Sequence, residues 1–261
     1  MTLKKILFVG LGGAGQRHLR IFHSIFGKSI KYYAFRTLNR TPHLNSDFTI
    51  NHQSTINEKY NIILLESLEV AFSYRPDLVV ISTPTSMHYD IAYEAAKNKL
   101  NVFVEKPFSH NLKGFNKFSE LVLKNNLYFY ISYQRRFHPH LIKIKSLIKN
   151  KALGDIINVN FNVGSYVPGW HPYEDYSQLY ACRKELGGGV LLTEIHEIDL
   201  CYWFFGIPSA LGCFGGKYSQ FDIDVEDTAN MIFNYSTFNV SVNMSFMQKY
   251  NQRDLYISGT K

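Results

Sequence analysis

The residues best able to do chemistry lie in Glu105-Lys106-Pro107, at the end of the apolar run 101–104. A lysine held between a carboxylate and a proline at the C-terminal end of a strand stands where open α/β sheets bind ligands. An amine there can take a hydroxyl proton and return it. Lys106 is therefore expected to handle a proton beside a nicotinamide ring; the competing reading is a surface lysine in a turn. Glu105 is expected to orient Lys106 or face the cofactor, with a plain ion pair as the alternative. Pro107 would shape the turn.

The second candidate is Gly10-Leu11-Gly12-Gly13-Ala14-Gly15, directly after the apolar run 6–9 and before a helical pattern. Gly10, Gly12 and Gly15 form G-x-G-x-x-G. The first glycine permits the tight turn, the second lets backbone approach a pyrophosphate, and the third lets helix and strand pack closely. The helix N-terminus then offers N–H groups to phosphates. Gly10, Gly12, Gly13, Ala14 and Gly15 are thus expected to hold a dinucleotide. The acid that would bind the ribose of NAD is missing: the next strand ends in Arg36, Arg40 is nearby, and no acid occurs before Asp47. An arginine there can pair with a 2′-phosphate. NADP is accordingly favoured over NAD, against the reading of Arg36 as a solvated loop residue in an enzyme using either. Thr83 and Pro84 follow another strand and should line the cofactor crevice. His88 is expected to contact the ribose or nicotinamide, or else to serve helix packing.

Further along, His196 and Asp199 are spaced i, i+3 and share a helix face, so Asp199 could orient the imidazole. Arg136 is placed near the domain junction as a substrate contact. Trp170, His171 and Tyr176 belong to an aromatic loop that could stack on a sugar ring or pack on the second domain.

These residues need elements to hold them. Strands are expected at 4–9, 29–35, 78–81, 101–104 and 127–133. Helices are expected at 16–26, 67–74, 87–99 (with Ser86 as cap) and 112–125; residues 37–56 read as a loop with at most a short strand near 47–50. This alternation is the signature of a parallel, doubly wound sheet. It stops near Gln134. A basic amphipathic helix at 139–149 follows, then a half-exposed antiparallel strand at 156–164 with Ile157, Val159, Phe161 and Val163 on one side. One helix is expected over 190–205, and strands over 210–218, 228–235, 239–246 and 253–258, the middle pair joined by a hairpin. The expected domains are 1–134 and 135–261.

A chain of 261 residues, 46% hydrophobic, can bury two modest cores. The net charge of +7 suits anionic small ligands such as a dinucleotide or sugar nucleotide. The basic residues are scattered and no nucleic-acid motif occurs, so nucleic acid is not an expected partner. Cys182, Cys201 and Cys213 have no metal spacing and read as reduced thiols; no metal is expected. No run is long enough to span a membrane and no signal peptide is visible, so a cytoplasmic protein is expected. The sequence ends as a strand ends, which reads as truncation.

Gly10 to Gly15, Thr83-Pro84-Thr85-Ser86-Met87-His88, Glu105-Lys106-Pro107, Arg136-Phe137-His138-Pro139, and Gly187-Gly188-Gly189 running on to His196-Glu197-Ile198-Asp199 together resemble the Gfo/Idh/MocA oxidoreductase family. Their order and spacing cover nearly the whole chain. The 170–176 run and the His-Glu-Ile-Asp run are similar to members from sugar-modification and surface-polysaccharide pathways. The resemblance implies an α/β fold: an N-terminal Rossmann domain and a C-terminal α+β domain with an open mixed, mostly antiparallel sheet, which often forms the subunit interface of a homo-oligomer. It also implies chain beyond Lys261. The implied activity is NAD(P)-dependent hydride transfer at a secondary hydroxyl or ketone of a sugar, cyclitol or sugar nucleotide, with Lys106 as acid/base and His196 as its partner or a substrate ligand. One departure stands out. The acid usual before the catalytic histidine is absent at Leu192 and Thr193, which leaves Thr193 and Glu197 as weaker site candidates. It also supports one alternative, a non-catalytic dinucleotide sensor; a separate alternative is an NAD-assisted glycosidase of the same fold that keeps its cofactor bound.

Overall fold

The computed structural model describes residues 3–36 and 41–261. Close contacts divide the chain into two compact units, Met1–Ser132 and Tyr133–Lys261. In the first, β1 (Lys5–Val9), α1 (Gly13–Phe26), β2 (Lys31–Phe35), α2 (Ile56–Tyr60), β3 (Ile62–Leu64), α3 (Leu68–Ser73), β4 (Leu78–Ile81), α4 (Thr85–Lys97), β5 (Val102–Val104), α5 (Phe115–Lys124) and β6 (Phe129–Ile131) follow in order. The sheet runs β3-β2-β1-β4-β5-β6, every neighbouring pair parallel. That is the doubly wound order whose direction reverses between β1 and β4, the crevice where such sheets take ligands.

Strand alternation sends side chains to two cores. Ile6, Phe8, Tyr32, Ala34 and Val80 meet Leu19 of α1 and Ile56 and Tyr60 of α2. Leu7, Val9, Val79, Ile81, Val102 and Val104 meet Ile91, Ala92 and Ala95 of α4, Phe72 of α3 and Phe118 of α5. Two elements depart from the sequence expectation. Both α2 and β3 fall between the expected loop and helix. Both are legible: the apolar run 62–65 is as long as those at 6–9 and 78–81, and α2 carries a capping box, Thr55 with Glu58. Ser86 is not the cap of α4: it lies inside the helix, which begins at Thr85 after Pro84. Proline fits there because its missing N–H would have had no helical partner.

The second unit comprises α6 (Pro139–Lys149), β7 (Ile156–Tyr166), α7 (Val190–Thr193), α8 (His196–Phe205), β8 (Ala210–Gly216), β9 (Thr228–Asn234), β10 (Asn239–Ser245) and β11 (Met247–Gly259). Its sheet is ordered β11-β7-β10-β9-β8 and is antiparallel except for β7 with β10. This is the expected mixed, mostly antiparallel sheet; β7 pairs antiparallel with β11 and parallel with β10. Val159, Phe161 and Val163 face the core as the alternation predicts, together with Val240, Val242, Met244, Met231 and Phe233, and they are covered by Leu200 and Cys201 of α8. Ile157 is exposed instead, at the strand's start. The expected single helix over 190–205 is broken at Glu194–Ile195.

Candidate active site

In the first unit the register carries the site. Phe35, Val9, Ile81 and Val104 lie in one row across β2, β1, β4 and β5. The residues that follow them, Arg36, Gly10, Ser82 and Glu105, therefore leave the sheet side by side at its C-terminal edge. Thr83 and Lys106 come next along the same edge.

The glycine turn explains itself partly from within. Gly10 adopts φ +90°, and a Cβ there would meet Ser82 O at 2.8 Å. A Cβ on Gly15 would meet Gly10 O at 2.4 Å and Ser82 Oγ at 2.5 Å. Both glycines are demanded by the protein's own packing. Gly12 is not: its nearest neighbour would be Thr41 Oγ1 at 4.0 Å, and its φ of −71° suits any residue. Gly12 is also the N-cap of α1 and offers no side chain to its N–H groups, while Gly13 and Ala14 form the first turn. Space over Gly12, uncapped N–H groups beside it and no acid in the first turn fit a dinucleotide pyrophosphate. Thr83 adds a buried Oγ1 with no hydrogen-bond partner among the described residues, and Pro84 leads into α4 beside it.

Arg36 leaves the end of β2, and its Nη2 donates to Thr41 O at 2.5 Å. Half-burial lowers its pKa. Arg40 lies outside the described residues. Of the two readings of His88, cofactor contact or packing, its hydrogen bonds support packing. It is buried, with Nδ1 2.8 Å from Pro107 O and Nε2 2.8 Å from Thr83 O. Both ring nitrogens are thus committed to backbone, which gives the histidine the packing role: it ties the turn after β4 to the turn after β5. Burial pushes its pKa down, against the two carbonyls, which pull it up.

The Lys106–Pro107 peptide is cis. Glu105 is buried beside it, and its Oε1 accepts from His18 Nε2 at 2.6 Å and from Arg17 Nη2 at 3.3 Å. Its Oε2 accepts from the backbone N–H of Lys106 at 3.2 Å. Burial alone would raise the Glu105 pKa, but the His18 hydrogen bond and the charges of His18, Lys106 and Arg17 outweigh it and hold the carboxyl at about 2. His18 and Arg17 are site residues that sequence reading missed. The available signal was the strand period: Phe103 and Glu105 share the face of β5 that looks at α1, and His18 lies edge-on to Phe103 at 5.1 Å.

In the second unit, His196 opens α8 and is buried. Gln134 Nε2 lies 3.4 Å from its Nε2, and the Tyr133 ring stands edge-on at 6.2 Å. Both oxygens of Asp199 accept from Arg136, Oδ2 from Nε at 2.9 Å and Oδ1 from Nη2 at 2.5 Å. The acid expected to orient His196 is first of all an arginine anchor, and Arg136 is correspondingly engaged. Thr193 ends α7 and is buried.

Arg253 of β11 is a third residue missed. It donates from Nη1 to Glu197 Oε1 at 2.9 Å and from Nη2 to Glu194 Oε2, bridging the two acids that flank His196. This grip spans the break between α7 and α8. Glu197 is raised to about 6: burial outweighs Arg253, whose charge is shared with Glu194, itself a further push upward. In the aromatic loop, Trp170 stands edge-on to Phe246 at 5.3 Å, and Tyr176 edge-on to Phe221 at 6.0 Å with its hydroxyl accepting from Asp222 N. Both belong to the packing around the second core, the alternative to sugar stacking. His171 stacks on Tyr173 and pairs with Glu174 at 2.7 Å. Among the described residues no group of three or more His, Cys, Asp or Glu could hold a metal ion, and no helix is long and apolar enough to cross a membrane.

Comparison with known proteins adds a second line of observation. Residues 4–133 match the oxidoreductase family with an NAD-binding Rossmann fold, and residues 141–261 match the GFO/IDH/MocA C-terminal domain. The scyllo-inositol 2-dehydrogenase (NAD(+)) of Bacillus subtilis is 36% identical over 131 residues, 50% of this chain and 35% of that protein. The 2,7-anhydro-N-acetylneuraminate hydratase of Escherichia coli is 25% identical over 173 residues, 66% of this chain and 45% of that protein. The chain spans about half the length, or less, of the curated relatives it matches. Among solved structures, the WlbA dehydrogenase from Bordetella pertussis in complex with NADH and UDP-GlcNAcA superposes with a TM-score of 0.83 at 19% identity, covering 100% of this chain and 76% of that one. At that identity the likeness is one of fold.

Proposed function

This chain belongs to the Gfo/Idh/MocA oxidoreductase family, and on that premise we propose that it is a nicotinamide-dependent dehydrogenase or reductase acting on a secondary hydroxyl or ketone of a sugar, cyclitol or sugar nucleotide. The observation that carries this reading is the row across β1, β4 and β5, which brings the open glycine turn, Thr83 and Lys106 to one edge of the sheet. The bound dinucleotide would supply the hydride acceptor or donor. The chain supplies the rest. The N–H groups after Gly12 receive the pyrophosphate, and Thr83 follows β4 along the same edge of the sheet. Lys106 Nζ removes the hydroxyl proton during oxidation and returns it during reduction. On the second unit, His196 and Arg136, the latter anchored by Asp199, are the residues assigned to the substrate. NADP remains the favoured cofactor, because Arg36 directly follows β2 where an acid would serve NAD. Relatives whose names or structures carry NAD keep the comparison open to measurement. A second reading keeps the dinucleotide bound through a redox-neutral reaction; the hydratase among the relatives favours it.

The test is a panel of inositol stereoisomers and UDP-linked N-acetylated sugars and uronates with NAD and NADP, following reduced nicotinamide and analysing products. Lys106→Met is expected to lower turnover by roughly 10²–10⁴ while leaving dinucleotide affinity within a few-fold. Unchanged turnover would remove Lys106 from the mechanism, and product without net cofactor reduction would favour the redox-neutral reading.

A further inference from the structure

We propose that His18, on the second turn of α1, is a positioning residue that fixes Lys106 through Glu105. It rests on the reading of Lys106 as the proton-transfer group. The geometry is a two-bond tether. Glu105 is ionised and can only accept, so His18 Nε2 carries the hydrogen in the 2.6 Å bond to Oε1. The other oxygen, Oε2, accepts from the Lys106 backbone N–H at 3.2 Å. With one oxygen held by α1, the carboxylate cannot rotate away from that N–H. The His18 ring is itself held, buried and edge-on to Phe103 two residues before Glu105. Arg17, more exposed, adds a longer contact to Oε1 at 3.3 Å.

The consequence is mechanical. Helix α1 begins at the glycine turn that would take the pyrophosphate, and its second turn grips the residue beside Lys106. One rigid element therefore sets both the phosphate end of the cofactor site and the backbone of the proton-transfer lysine. Misplacing a reacting group by about 1 Å can cost about 10²-fold in rate, so a tether of this kind acts on turnover rather than on cofactor affinity. A merely structural buried pair would give no such split.

The experiment compares His18→Ala, His18→Asn and His18→Gln in the whole protein. Glutamine places an amide N–H near the position of Nε2, whereas asparagine falls short of Glu105. The first measurement needs no substrate: hydrogen exchange of the Lys106 amide, with the Val79 and Ile81 amides as internal reference. Exchange at Lys106 is expected to rise about tenfold or more in the Ala and Asn variants, to stay near wild type in the Gln variant, and to leave the reference amides unchanged. The second uses a substrate accepted in the panel above, where kcat is expected to fall roughly 10- to 100-fold in the Ala and Asn variants, with KM for the dinucleotide within about threefold, and to recover with Gln. Unchanged Lys106 exchange, or a uniform rise that includes the reference amides, would overturn the tether. So would a rise in KM with kcat preserved. If wild type turned over nothing, the function proposed above would fall, while the exchange measurement would still decide whether His18 positions Lys106.

Discussion

Two buried carboxylates respond to pH in opposite senses. Glu105 titrates at about 2 in the fold against an ordinary 4.5. Its contribution is fully present above pH 4.5 and is lost as pH falls from there toward 2, an amount on the order of 3 kcal/mol. Glu105→Gln should therefore flatten the acid limb of a stability–pH curve measured by denaturant unfolding, at the cost of lower stability near neutrality. An unchanged acid limb would mean that the His18 contact does not hold the charge. Glu197 titrates at about 6 against 4.5. Its stability contribution is present below pH 4.5 and disappears as pH rises through 6, a loss on the order of 2 kcal/mol. Glu197→Gln should remove that decline between pH 4.5 and 6. Persistence of the decline in the variant would assign it to another group. The difference between the two acids lies in their partners. Glu105 has the His18 hydrogen bond and the charges of His18, Lys106 and Arg17, whereas Glu197 shares Arg253 with Glu194.

At the scale of the element, the turn between β1 and α1 separates glycines needed for folding from one needed for binding. Gly15→Ala would press a methyl to 2.4 Å from Gly10 O and should destabilise the protein by ~1–3 kcal/mol, as overpacking does. Gly12→Ala meets open space and ordinary backbone. It should keep the melting temperature of the protein without ligand while weakening dinucleotide binding about tenfold or more, measured by titration. Equal loss of stability in both variants would contradict the assignment of the space over Gly12. The α7–α8 break follows a different logic. Residues 190–205 are continuously compatible with a helix, and the interruption at Glu194–Ile195 coincides with the Arg253 bridge from β11.

For the molecule as a whole, a ligand that binds only the folded state raises apparent stability by about 2.7 kcal/mol at a hundredfold excess over Kd. For a chain of this size that is roughly 5–10 °C in Tm. Wild type should show such a shift with NADP or NAD, and the Gly12→Ala variant should need a higher concentration for the same shift. No shift with either dinucleotide would count against the cofactor site as a whole.

The sequence by itself determined what depends on near neighbours. Apolar runs closed by glycine, threonine–proline or Glu-Lys-Pro could only be strands ending in turns, and their alternation with helices implied the parallel sheet that places Gly10, Thr83 and Lys106 along one edge. The alternation in 159–163 likewise marked the inner face of the second sheet. Tertiary structure decided which partner each polar group took. Glu105 found His18, 87 positions away, and Glu194 found Arg253, 59 positions away. His88 turned inward onto two carbonyls, and Trp170 and Tyr176 went to packing. A buried donor or acceptor must be paired, but several groups of the right type lie within reach of any chain reversal. Only the packing of helices on sheets selects among them.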